Sequence, residues 1–353
     1  MALGFGKRGN YPYACARIRA KKSLLLTKEN YPKLLMMDLN EIGRFLGETQ
    51  YNVEMTELAS RYSGVNLIEL GTSRNLARMY NGVLGFTKGE LRDMIAGYLE
   101  RWDVWNLKTV LRGKYYGASA EEIREDLVPA GRLNEDDLNE LMSLESVTDV
   151  LEKVMKLDWV IVPQDAITSL QTTGRLSGVE DYLDKAYYEH LIDSINPNSK
   201  PEKILLGYVR KEIDANNLMV ILKLKKEGLA PEKISPYLIA GGDELTKKEM
   251  ERLIALESFE ALVQELQKYS FYEYIKEALE KASTTNSLNE VTLAIKKLQA
   301  TQAQKFSHLY PLSVLPIIDY IIRKKIEVDN IRIIARCKES GLDPDTIKKL
   351  LVI

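Results

Sequence analysis

EVDNIRIIARCKESGL, residues Glu327 to Leu342, restates two earlier passages of the chain. They are DVWNLKTVLRGKYYGA, Asp103 to Ala118, and DANNLMVILKLKKEGL, Asp214 to Leu229. Each opens with an acid and carries Asn at its fourth position, Lys at its twelfth and Gly at its fifteenth. Asn106, Asn217 and Asn330 stand 111 and 113 residues apart (217 − 106 and 330 − 217). Six residues beyond the shared Gly come Ile123, Ile234 and Ile347, and ten beyond it Leu127, Leu238 and Leu351.

Apolar residues recur four and eight positions before each Asn: Trp102 and Tyr98, Ile213 and Val209, Ile326 and Ile322. They recur one and four after it: Leu107 and Val110, Leu218 and Ile221, Ile331 and Ile334. That is the period of a helix with one buried stripe. The spacing predicts long helices over roughly 90–115, 203–226 and 313–339. Gly117, Gly228 and Gly341 then fall where a helix C′ residue turns left-handed, a conformation Gly adopts at little cost. A short helix follows each. Ser119 with Glu122 forms a capping box, while Pro231 and Pro344 occupy first turns, where a missing N–H is harmless.

The first two copies continue in parallel. LNEDDLNELMSLESV from Leu133 matches LTKKEMERLIALESF from Leu245, with Asn134 and Thr246 as N-caps. Asp38 with Glu41 repeats the capping signal of Ser146 and Ser258, and Tyr51, Trp159 and Phe271 each follow thirteen residues on. The third copy stops after its short helix. The chain reads as all-α: a leader helix region over 1–36 and helical modules over 37–145, 146–257 and 258–353. This period is too long for a solenoid. SINPNSKPE around Pro197 and KASTTNS around Thr284 read as loops.

The 353 residues carry a formal net charge of −2, so no strong field favours nucleic acid or anionic lipid. Cys15 and Cys337 lie far apart, which fits a reducing compartment and no disulfide framework. The apolar run Leu309 to Ile322 is too short for a bilayer span and contains Asp319.

Chemistry-bearing motifs are weak. Gly4, Gly6 and Gly9 spell a G-x-G-x-x-G, but a dinucleotide site needs a strand before it and a helix opening from it, whereas only three residues precede Gly4 and NYP follows Gly9, so the expectation is a flexible leader. Gly113-Lys114 lacks the rest of a P-loop. His190 and His308 have no metal-ligand spacing. Glu121-Glu122 and Asp136-Asp137 fit first helical turns, where the dipole favours acids. No nucleophile stands in a recognisable context, and neither cofactor nor metal is expected. The repeated residues are therefore the candidate sites: Asn106, Asn217 and Asn330 as buried register pins or a shared surface, and Lys114, Lys225 and Lys338 as helix-end partners or a basic rim. Three equivalent sets argue for architecture over an active site, which needs different groups converging once.

Taken together, YPYACARIRA (Tyr11), WDVWNLKTVLRGK (Trp102), AGRLNEDDL (Ala130), YLDKAYYE (Tyr182) and PLSVLPIIDYIIRKKIEVDNIRIIARCKESGL (Pro311) resemble the C subunits of archaeal and bacterial A/V-type ATP synthases, counterparts of the eukaryotic V-ATPase d subunit. The resemblance runs from leader to terminus. Cys337 departs from it, since the family more often has Gly there. It implies a funnel of three similar helical domains with pseudo-threefold symmetry, peripheral on the cytoplasmic side of the cell membrane. Such a part is non-catalytic and joins the central shaft, made of the D and F subunits, to the membrane ring of proteolipid subunits. It serves proton- or sodium-driven ATP synthesis or ATP-driven ion transport, with no nucleic acid or small-molecule substrate of its own. A free helical scaffold is the rival reading.

Overall fold

A computed structural model of the chain describes residues 8–156, 162, 164–173, 176–285 and 287–353. Gly4, Gly6 and Trp159 lie outside the described residues. Among the described residues the regular elements are all helices, and they gather into two compact units. One unit contains 1–156 and 310–353, the other 157–309.

The first unit comprises α1 (Tyr11–Lys22), α2 (Asn30–Met36), α3 (Leu39–Gly47), α4 (Asn52–Leu58), α5 (Gly64–Phe86), α6 (Gly89–Leu99), α7 (Arg101–Tyr116), α8 (Ala120–Glu125), α9 (Glu135–Ser143) and α10 (Val147–Val154). Chain ends meet here, because α19 (Leu315–Glu339) and α20 (Pro344–Lys349) also belong to it. Helices α1, α3 and α5 all pack on α19. Its buried stripe runs through Ile317, Ile321, Lys324, Val328 and Ile331, so Ile322 and Ile326, expected inside, are only half-buried. Surrounded on several sides, α19 buries a wider band than a single amphipathic face.

In the second unit stand α11 (Gln164–Thr173), α12 (Ser177–Ser194), α13 (Lys200–Lys226), α14 (Pro231–Ile234), α15 (Lys247–Ile254), α16 (Phe259–Glu265), α17 (Tyr272–Thr285) and α18 (Asn289–Leu309). Leu218, Ile221 and Leu222 of α13 meet Leu253 of α15, Leu262 of α16, Ile275 and Leu279 of α17, and Val291, Ile295 and Leu298 of α18. Each such side chain contributes about 1.5–3 kcal/mol by leaving water.

Local signals are realised closely. Gly117, Gly228 and Gly341 all adopt φ of 73°, past the ends of α7, α13 and α19. The Asp38–Glu41, Ser119–Glu122 and Asn134–Asp137 boxes are formed, Thr246 accepts from the Glu249 amide, and Pro231 and Pro344 open their helices. Two expectations fail. The helix expected over 90–115 divides at Glu100 into α6 and α7, where a fully buried carboxylate pairs with Arg132. Thr284 is helical, because α17 packs along α18, while Ser283, Thr284 and Thr285 turn their hydroxyls onto the carbonyls of Leu279 and Lys281 within the helix. Gly113 sits inside α7, where a Cβ would collide with Ile123 of α8. Gly9 packs as closely on Leu91.

Candidate functional site: three clasps on the long helices

The repeated Asn comes from the middle of each long helix and is essentially inaccessible at all three positions. In the first copy, Asn106 Nδ2 donates to the Val128 carbonyl at 2.8 Å while the Val128 amide donates to Asn106 Oδ1 at 2.8 Å. Asn217 holds Ile239 by the same pair of bonds, both 2.8 Å. Asn330 holds Val352, at 2.9 and 3.0 Å. In every copy the clasped residue lies 22 positions downstream. One primary amide thus satisfies both polar groups of one residue's backbone, which a buried loop otherwise leaves unpaired. Asn106 and Asn330, which share a unit, bond to separate loops and not to each other.

The acid three residues earlier shares the helix face with the Asn, since positions i and i+3 are neighbours. It secures the next stretch of the same loop. Asp103 accepts from the amides of Arg132 (2.8 Å) and Leu133 (2.9 Å). Asp214 accepts from Glu244 (2.8 Å) and Leu245 (3.0 Å), with Asp243 more distant at 3.2 Å. The loop approaches so closely that a Cβ on Gly131 or Gly242 would overlap the Asp103 or Asp214 carboxylate. Burial raises both carboxyls to about 6, although the amides oppose it. Glu100 beside Asp103 is pushed further, to about 7, by burial and by that neighbouring acid, against the pull of Arg132.

The third acid, Glu327, has different donors: the Leu26 amide, Gln50 Nε2 at 3.0 Å, Tyr51 Oη at 2.7 Å and Lys324 Nζ at 2.8 Å. Lys324 is fully buried and lies 3.9 Å from the centre of the Tyr51 ring. Burial lowers its ammonium to about 8, against the attraction of Glu327. A buried charge persists where it is paired and hydrogen-bonded, as both partners are here.

The lysines differ among themselves. Lys225 Nζ donates to the Ile254 carbonyl at the end of α15 (2.9 Å), and Lys338 Nζ to the Leu35 carbonyl in the last turn of α2 (2.7 Å). Each answers the negative end of a neighbouring helix, not that of its own. Lys114 is half-buried and its ammonium makes no such bond among the described residues. Sequence patterning marks the opening acids without giving them a role, and it does not point to Lys324 and Tyr51 as partners of Glu327. The shared position three before the Asn is the available signal for the acids.

His190 and His308 stand in α12 and α18, and among the described residues no group of three His, Cys, Asp or Glu is arranged to hold a metal ion. No described helix is long and apolar enough to cross a membrane.

The clasps and helical packing define a repeat-built helical protein whose three repeated Asn side chains are occupied by its own backbone. The family described as the ATP synthase (C/AC39) subunit matches residues 14–350, and the chain belongs to that family. Among its relatives is the C subunit of the A-type ATP synthase of Methanococcoides burtonii, 39% identical over 349 residues, covering 99% of this chain and 96% of the relative. Those of Methanosarcina mazei (39% identical, 98% and 93% covered) and Haloferax volcanii (36% identical, 98% of each) share the name. The chain is accordingly a subunit of an A/V-type ATP synthase, a membrane-associated complex.

Proposed function

We propose that this chain is the non-catalytic rotor subunit that joins the central shaft, made of the D and F subunits, to the proteolipid ring. It works peripherally on the cytoplasmic side, in proton- or sodium-driven ATP synthesis or ATP-driven ion transport. Three modules, bounded near 37–145, 146–257 and 258–353 in the register of the sequence repeat, would form a funnel around the shaft. The observation carrying this reading is family membership along nearly the whole chain. The clasps support it: residues repeated three times serve to hold loops on long helices, which favours stiffness over chemistry. A torque-bearing joint needs little compliance, and close-packed helices deform little.

Mild detergent extraction of membranes, followed by affinity capture of this chain, tests the assignment. A proteolipid ring and a coiled-coil shaft are expected among its companions. Capture of the chain alone, or with soluble proteins only, supports the free-scaffold reading instead. The basic-rim idea is best tested at Lys114, because charge reversal at Lys225 or Lys338 would also break bonds to helix ends. If Lys114 touches the shaft, Lys114→Glu weakens capture of the shaft several-fold at unchanged thermal stability. Unaltered capture removes it from the interface.

A further inference from the structure

The third long helix recruits its downstream partners from the beginning of the chain. In the second copy α13 is followed by α14, α15, α16, α17 and α18, and it packs against α14, α15, α16 and α18. Around α19 the corresponding places are taken by α20, then α3 and α5, while α2 packs on α20 as α15 packs on α14. Within this series α4 pairs with α5 as α17 pairs with α18.

The polar contacts keep the same register. Asp214 accepts from the Leu245 amide, and Glu327, in the equivalent position, accepts from the Leu26 amide. Lys225 donates to Ile254 at the end of α15, and Lys338 to Leu35 near the end of α2. The sequence agrees with that register. Leu26-Thr27-Lys28 lines up with Leu245-Thr246-Lys247, and at the same offset Leu34-Leu35 lines up with Leu253-Ile254. Two independent bonds and a sequence match therefore select one alignment.

We infer that the array is circularly permuted: residues 23–36 supply the third module, 258–353, with the helix that α15 is to the second, and the segment around Leu26–Leu35 is an intramolecular latch seated on α19 and α20. The seat has a built anchor. Glu327 is buried and ties the latch amide to Gln50 and Tyr51 in one cluster. Lys338 holds the latch's other end. In the second copy the chain between Asp214 and Leu245 is continuous, whereas in the third the acid and its donor are 301 residues apart. The latch is thus the one of these two loops that can leave its acid without unravelling a local connection. This inference is independent of the rotor reading.

Hydrogen exchange read by mass spectrometry on the full chain tests it. In the unmodified protein, peptides covering residues 24–36 should be protected to a degree comparable with those covering 243–255. Glu327→Leu removes the bonds to Leu26, Gln50, Tyr51 and Lys324 together, so it should accelerate exchange in 24–36 by at least about tenfold and leave 243–255 unchanged. Asp214→Leu should do the reverse. Free exchange of 24–36 in the unmodified chain overturns the inference without recourse to any variant. So does a Glu327→Leu response that is absent at 24–36 or equal in both segments, for residue 327 would then be a general core contact.

Discussion

Asn217 spends its whole amide on Ile239, and its removal leaves a buried N–H and a buried carbonyl without partners. Asn217→Ala is expected to destabilise the second unit by about 3 kcal/mol, from two lost hydrogen bonds and the desolvated groups they served. A lowered urea midpoint with an unchanged slope would bear this out; a loss below about 0.5 kcal/mol would mean the loop is held by apolar contacts alone. Glu100 carries a pH signature. Its folded-state pKa of about 7 lies above the ordinary carboxylate value, so its contribution to stability is complete below the unfolded pKa near 4.5. That contribution is lost as pH rises through about 7. Asp103 and Asp214 act with the same sign through about 6. Chemical denaturation should therefore show falling stability from pH 5 to pH 7.5, and Glu100→Gln should flatten the slope. A steeper fall in the variant would contradict the assignment. The burial of the repeated Asn was legible in sequence from its place among apolar positions. The loop amides that satisfy each acid were not, because they are brought back by the course of a loop and not by helical periodicity.

At the scale of elements, glycines separate space from propensity. Gly242 lies against the Asp214 carboxylate, so Gly242→Ala must displace the loop or the acid, at a cost of about 1–3 kcal/mol. Gly82 is inside α5 with nothing within 4 Å of where its Cβ would stand, and Gly82→Ala should stabilise by roughly 0.5–1 kcal/mol. Thermal melts of the two variants moving in opposite directions would confirm the contrast; equal shifts would refute it. Helix starts and stops were legible here because caps act within one turn: Asp38 reaches Glu41, and Ser119 reaches Glu122. The end of α17 was not, for a related reason. Hydroxyl side chains suit a turn or a helix terminus equally well, and packing of α17 along α18 extended the helix through Thr285.

For the whole molecule, the feature that organises the first unit is the meeting of the chain's two ends around α19. Besides the latch, Lys22 and Arg323 both pair with the buried Asp319, Cys15 donates to the Ser313 carbonyl, and Tyr80 Oη donates to the Ile321 carbonyl at 2.6 Å. Limited proteolysis should therefore find the bonds after Lys21 and Lys22 resistant in the intact chain, and Asp319→Ala should make them cleavable sooner. Rapid cleavage there in the unmodified protein would show that α1 is not held. The lysine trio illustrates the same scale. Two of its members answer helices separated from them in sequence, and Lys114 does not, although the three repeats look alike as text.

The sequence alone determined the helical class, the long helices α13 and α19, the three glycine stops, the capped starts and the family resemblance. All of these rest on interactions within a few residues or on the recurrence of one short pattern. Tertiary structure alone decided which residues complete the third copy, why Lys324 is buried and what each acid holds. Those outcomes depend on groups as far apart as Leu26 and Glu327, and periodicity along a helix carries no information about which distant backbone will close on its buried face.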